Sequence, residues 1–378
     1  MPTPRGWIVA AGGAVLLAAG ALLGYAELAV LGGVAVLAVL AAVAFVLLTP
    51  PARATVTRTV TATRLRPGTS TRVRIAVGDS GTTRRRRPGR LTERIADADG
   101  ARSAAFRIVG ESGEVGYDLT AERRGVVELG PARIGGADPL GLARWRRRRG
   151  GTDRVWVHPR WQALRTLPVG AAPDPDGTLD GVRGSGLTFH ALRDYVPGDE
   201  ARHVHWLSTA RRGRLTVREY ADTSHPRLTV LVDDRATPAG RGGLDAVADA
   251  AGSVMVTAVR AGVECEAHLL SGRGADTSAG LPPLLDLLAE ARPDRAADLP
   301  AACARVRDRA VGDAVVLVSG ALTAADLRAF AELGSRFPAL VAAIVGPEVP
   351  ASASGVTVVH GENAAEFADR WNEAPWAR

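Results

Sequence analysis

Lysine is missing from this sequence: all 47 basic residues are arginine. Asparagine is almost absent too, while Ala, Gly, Val and Arg dominate. A GC-rich coding sequence accounts for that bias more simply than chemistry does. Cysteine is scarce. Cys265 and Cys303 cannot build a disulfide framework, and both fit a reducing compartment. No Walker A motif, no convincing GxGxxG and no HExxH occurs, and Gly184-x-Gly186 is too short to read as phosphate binding. Ser185 and Ser319 lack a recognisable base partner. Apolar residues make up 46% and charged residues 23%, which excludes a disordered chain, a collagen-like repeat and a polytopic transporter. The 378 residues suit two or three domains.

Charge is unevenly spread. Residues 51–165 hold 25 arginines against 11 acids, a net of +14, whereas residues 166–378 hold 21 against 28, a net of −7. Two folded units with different neighbours are expected.

Residues 7–48 are nearly unbroken apolar sequence with one charge, Glu27. A membrane-crossing helix needs about 20 apolar residues, and this run is twice as long. Gly24-Tyr25-Ala26-Glu27 supplies a turn near its middle, so a transmembrane hairpin of helices at 7–24 and 28–48 is expected. Pro50-Pro51 ends the second helix. Arg5 precedes the hairpin and Arg53, Arg58 and Arg64 follow it, so the positive-inside rule places both termini in the cytoplasm. A cleaved signal peptide is the weaker alternative, because a second full span follows at once.

From 51 to 168 short alternating runs dominate, at Thr55–Thr61, Thr71–Val77, Ala105–Val109, Tyr117–Ala121, Gly125–Leu129 and Arg154–His158. Gly, Pro and Asp punctuate them, the pattern of a small antiparallel β-sandwich. Two basic clusters stand out: Arg84, Arg85, Arg86 and Arg87, then Arg146, Arg147, Arg148 and Arg149 beside Trp145 and Arg144. Next to a membrane anchor such clusters attract anionic headgroups, at about 1 kcal/mol per residue. A lipid bilayer is therefore the expected partner. Solvated loops are the bland reading, and no aromatic-interleaved motif supports nucleic acid.

The segment 169–225 is dense in Arg, Asp and Gly. Its ordered core reads Arg193-x-Tyr195-x-x-Gly198-Asp199-x-x-Arg202-x-x-x-Trp206-x-x-x-Ala210-Arg211, followed by Val217-Arg218-Glu219. Arg and carboxylate pair bidentately, so an ionic network is expected here. The spacing closely resembles the family catalogued as domain of unknown function 58. The resemblance implies a bacterial membrane hairpin, a β-rich region, this signature and a C-terminal von Willebrand factor A-like domain. It also implies a MoxR-type AAA+ ATPase as partner, and a transglutaminase-like membrane protein as a further one. Two departures stand out: Thr188 precedes Phe189 where the family has an acid, and His205 precedes Trp206 where it has Asp.

From 226 to 378 strand-like and helix-like runs alternate, which argues a parallel sheet covered on both faces. Thr323 is expected to cap a helix. A von Willebrand A domain holds Mg²⁺ with an Asp-x-Ser-x-Ser loop and a second Asp after a later strand. Here the loop reads Asp233-Asp234-Arg235-Ala236-Thr237, and Gly320 stands where the second Asp is expected. No metal and no cofactor are expected, with Arg235 pairing Asp233 or Asp234 in place of the ion. His190, His203, His205 and His225 cluster without a third spaced ligand, and Cys265 reads as a buried small hydrophobe.

Together these readings predict a multidomain chain: a hairpin at 1–50, a basic β-sandwich-like domain at 51–168, the signature at 169–225 and an α/β domain at 226–378. They predict a non-enzymatic adaptor at the cell membrane that docks a MoxR-type ATPase. The alternative is a Mg²⁺-dependent receptor.

Overall fold

The computed structural model describes residues 1–48, 54–79, 89–97, 100–108, 114–169, 187–194, 206–222, 226–236, 240–309, 312–347 and 352–377. They fall into two compact units. One holds Met1–Arg160 with Leu288–Glu290, the other Trp161–Leu287 with Ala291–Arg378.

The first unit opens with two apolar helices, α1 (Pro4–Leu23) and α2 (Ala26–Leu48), each long and apolar enough to cross a bilayer. The first starts three residues before the expected position. Thr3 caps it by accepting the N–H of Gly6 at 3.1 Å, and Pro4 occupies its first turn. Gly24, at φ +74°, ends it. The helices pack through small residues. A Cβ on Gly20 would strike the backbone of Ala29, and one on Gly32 would strike the backbone of Leu17 and Gly13. Such residues let helix backbones approach closely.

Ten strands follow: β1 (Ala54–Val60), β2 (Arg64–Leu65), β3 (Ser70–Asp79), β4 (Gly89–Asp97), β5 (Gly100–Ile108), β6 (Glu114–Thr120), β7 (Gly125–Leu129), β8 (Ala132–Ala137), β9 (Arg144–Arg149) and β10 (Asp153–Val157). One sheet runs β1-β3-β6; the other runs β2-β10-β7-β4-β8-β9, with β5 on β4. Val73, Ile75 and Leu119 from the first sheet share one core with Leu91, Ile95, Val127, Leu129, Ile134 and Val155 from the second. The expected strands are present. The sheet differs from the antiparallel expectation in one pairing, because β10 runs parallel to β2. Four strands carry no readable alternation: β2, β4, β8 and β9.

A buried charge sits between these sheets. Glu93 is fully buried and accepts Arg58 Nε at 2.6 Å and the Tyr117 hydroxyl at 2.7 Å. Arg58 also donates to Asp153. Burial, and the hydrogen bond to Glu93, push the Tyr117 phenol far above its ordinary value.

The second unit contains an antiparallel ribbon of β11 (Leu187–Asp194) and β12 (Thr216–Asp222), with α3 (Trp206–Arg212) between them in sequence. A sheet follows, built from β13 (Arg227–Val232), α4 (Gly240–Arg260), β14 (Glu264–Leu269), β15 (Gly274–Asp276), α5 (Pro282–Glu290), α6 (Leu299–Arg309), β16 (Ala314–Ser319), α7 (Ala324–Ala331), β17 (Ala339–Val345), β18 (Thr357–Gly361) and α8 (Ala364–Asn372). Its order is β15-β14-β13-β16-β17-β18, parallel except for the edge strand β15. All six residues of β16 are buried, as expected of a central strand covered on both faces. Leu299, Cys303 and Val306 of α6, with Phe330 of α7, pack on Leu231, Val315 and Leu317. The segment 161–169 lies along this unit: Gln162 N–H donates to Ser253 Oγ at 2.9 Å, and Trp371 Nε1 donates to the Thr166 carbonyl at 2.8 Å.

Candidate functional site

The chain enters this sheet at β13, crosses to β14 on one side, and then reverses to β16 on the other. Such a reversal opens a crevice at the carboxyl ends of the strands. Asp233 follows β13 and Ser319 ends β16, so both stand at that point. Main-chain pairing holds the loop there, with Asp233 N–H on the Val318 carbonyl at 2.9 Å.

The guanidinium of Arg235 fills the space between two carboxylates. Its Nη2 donates to Asp233 Oδ2 at 2.8 Å and its Nε to Oδ1 at 3.0 Å, while Nη1 donates to Asp326 Oδ1 at 3.0 Å. Ser319 Oγ adds a hydrogen bond to Asp233 Oδ2 at 2.6 Å. The Asp233 side chain is 4% exposed, Asp326 13% and Arg235 27%. Hydrogen bonds donated to Asp233 raise the Arg235 guanidinium above even its usual value against the cost of burial. Burial works against the charged form of Asp326, but the Thr323 N–H and Arg235 outweigh it and hold that carboxyl below the ordinary range.

Asp326 has a second role. Thr323 and Asp326 form a reciprocal capping box at the start of α7, with Asp326 N–H on Thr323 Oγ1 at 3.1 Å and Thr323 N–H on Asp326 Oδ2 at 2.9 Å. The cap expected at Thr323 is therefore present, and its partner carboxylate also reaches the cluster. Arg235 pairs with Asp233, as the sequence suggested, but not with Asp234. The Asp234 carboxylate instead accepts Ser271 N–H at 3.0 Å, and burial raises its pKa. From β16 it is Ser319, not Gly320, that touches Asp233. Sequence reading missed Ser319 and Asp326 as members of this site; the Thr-x-x-Asp cap was the available signal for the second.

A divalent ion does not fit this arrangement. It needs converging hard oxygens with open coordination, and here a fixed cation occupies the space between the two carboxylates. Among the described residues no group of three His, Cys, Asp or Glu side chains is placed to hold a metal. Cys265 is buried and its thiol is pushed up to about 12 by burial; that of Cys303 is pushed up to about 11.

The signature residues are partly in view. Arg193 lies on β11 opposite Val217, and Arg218 and Glu219 lie on β12 opposite Leu192 and Ala191. Ala210 belongs to α3. Trp206, at the start of α3, is 67% exposed, and Arg211 on the same helix is exposed. Tyr195, Gly198, Asp199, Arg202 and Thr237 lie outside the described residues, as do His203, His205 and His225. So do Arg84, Arg85, Arg86 and Arg87. Arg146, Arg147, Arg148 and Arg149 form most of β9, the edge strand of its sheet.

These elements coincide with one sequence family. Residues 191–362 match the family described as "Protein of unknown function DUF58". The resemblance carried by the signature is thereby shown. The DUF58 match runs from β11 through β18, so it takes in the ribbon, the parallel sheet and the Asp233–Arg235–Asp326 cluster. No curated protein matches the chain. Among solved structures, a β-glucosidase from Listeria innocua aligns at 13% identity over 28% of this chain and 17% of its own, with a TM-score of 0.16. Cwp6 from Clostridium difficile aligns at 8% identity over 84% of this chain and 56% of its own, with a TM-score of 0.20. This chain thus spans less than a fifth of the glucosidase, and superpositions this loose show no shared fold.

Proposed function

We propose that this chain is a membrane-anchored, non-enzymatic adaptor. On this reading α1 and α2 anchor it with both termini in the cytoplasm. The signature segment and a von Willebrand factor A-like α/β unit dock a MoxR-type AAA+ ATPase, in the assembly or maturation of envelope proteins. The ATPase supplies chemical energy and this chain supplies location.

Trp206 carries the docking part of the reading. A large aromatic that starts a signature helix and stays two-thirds exposed, with Arg211 exposed on the same helix, is the side-chain pair most enriched at binding hot spots. Arg235 supports the part that dispenses with an ion. It bridges Asp233 and Asp326 from within the chain and offsets one of their two charges, which supports a crevice that keeps its shape without an ion.

Binding of the purified ATPase to the full-length chain in nanodiscs tests this. Trp206→Ala is expected to weaken that binding by about thirtyfold, the size of a hot-spot loss. No binding, or binding indifferent to Trp206→Ala and Arg211→Ala, overturns the docking reading. Mg²⁺ titration followed by Tm tests the rest. A saturable stabilisation abolished by Asp233→Ala would turn the site into a metal-dependent receptor.

A further inference from the structure

The strand register of the first unit assembles a face wider than the basic cluster on β9 reveals. Arg90 on β4 pairs with Gly135 on β8, and Gly135 pairs with Arg146 on β9. Thr92 pairs with Arg133, and Arg133 with Arg148. Directly paired residues share a face of a sheet, and residues two apart return to it. Arg90, Arg94, Arg133, Arg144, Arg146 and Arg148 therefore stand together on the face opposite Leu91, Ile95 and Ile134, which are buried in the core. All six are exposed. Gly135 puts no side chain between Arg90 and Arg146.

Among the described residues of β4, β8 and β9, no acid lies on that face. Glu128 on β7, opposite Ala96, lies at the margin of the same face and is 3.6 Å from Arg154. Like charges set directly opposite, such as Arg133 and Arg148, destabilise a sheet. The face therefore carries a cost that an external anion would offset.

The rim of this face is joined to the helical hairpin. Thr3 N–H donates to the Leu142 carbonyl at 2.8 Å, and Met1 and Arg144 exchange main-chain bonds of 2.8 and 2.9 Å. Leu142 and Ala143 share a small core with Val39, Ala42 and Val46 of α2. Asp138 stiffens the β8–β9 turn by accepting Leu140 N–H at 2.8 Å and Ala143 N–H at 2.5 Å. At its tip Leu140 is 67% exposed. At 1.5 Å per residue α2 is about 34 Å long, against a hydrocarbon core of about 30 Å. Its last turn, which holds Val46 of that shared core, thus falls at the membrane boundary.

We infer that this six-arginine sheet face is a docking surface for anionic phospholipid headgroups of the inner leaflet, with Leu140 entering the acyl boundary at its rim. The inference rests on the reading of α1 and α2 as a membrane anchor. Continuity with that anchor, and an apolar tip beside the charge, favour lipid over nucleic acid.

Full-length protein in nanodiscs tests it, with an environment-sensitive dye at Leu140→Cys or Thr92→Cys and headgroup-labelled quencher lipid. Cys265 and Cys303 are buried and stay unlabelled. The Leu140→Cys dye is expected to be quenched in neutral and anionic discs alike. The Thr92→Cys dye is expected to be quenched only in anionic discs, and released by high salt. Changing Arg133, Arg146 and Arg148 to Gln is expected to weaken that association about a hundredfold, and Tm confirms that the variant is folded. Quenching at Thr92→Cys that ignores lipid charge or the three substitutions overturns the inference. So does a labelled oligonucleotide that displaces the face from anionic discs. A chain that stays outside the discs overturns the anchor itself, which separates the two failures.

Discussion

At the residue scale, Arg235 pairs with Asp233, as its sequence position suggested, and also with Asp326, which the sequence did not name. Removing it leaves a buried carboxylate, Asp233, with only Ser319 and a backbone N–H for company. Arg235→Ala is expected to destabilise the α/β unit by about 2 kcal/mol, below the range for a fully buried pair because the guanidinium is partly exposed. Arg235→Lys is expected to recover only part of this, since an ammonium cannot span two carboxylates as a planar fork does. Thermal unfolding of both variants checks it; an Ala variant as stable as wild type would sink the account. Glu93 is the harsher case. Arg58→Ala leaves it buried with no cation and only the Tyr117 hydroxyl as donor, and is expected to cost about 3–5 kcal/mol. The apolar double change Arg58→Met/Glu93→Leu is expected to be milder than Arg58→Ala, although Tyr117 loses its acceptor. Urea unfolding of the two variants decides it. Arg235 was legible because an arginine in an acidic loop must find a partner close in sequence. Asp326 was not, because it stands 91 residues away and only the packing of α7 beside β13 brings it near.

At the scale of elements, long apolar or clearly periodic segments were readable and edge strands were not. The two apolar helices lie where the pattern put them, and strands alternate with helices through the parallel sheet as expected. β9 did not show itself, because alternation needs one buried face. Arginine occupies five of its six positions, on both faces, and only Trp145 packs inward. β8 was hidden by Gly135 and Gly136, which carry no side chain to mark a face. The hairpin gives a test at this scale. Gly32→Val is expected to force α1 and α2 apart and lower the Tm in detergent, whereas Gly12→Val is expected to be neutral, because nothing stands within 4 Å of a Cβ there. Equal effects from both would mean that the seam does not lie along Gly13, Gly20 and Gly32.

For the whole molecule, topology is the decisive prediction. With both termini cytoplasmic, Tyr25→Cys in the interhelical turn is expected to react with an impermeant maleimide on intact cells. Ser354→Cys, exposed on the α/β unit, is expected to react only after lysis. The reverse pattern would place the six-arginine face and the signature helix on the outside, away from any cytoplasmic ATPase and inner leaflet.

The sequence by itself determined the apolar hairpin, the order of β-rich and α/β regions, the family signature and the arginine that stands in a carboxylate loop. Each is a local property, set by run length, period or spacing along the chain. Only the tertiary structure decided which distant groups meet. Sheet order placed Ser319 and Asp326 beside Asp233, and strand register gathered Arg90, Arg94 and Arg133 with the arginines of β9. Those meetings depend on which strands pair and in what register, and pairing is selected by burial of the opposite face, not by the residues that end up exposed together.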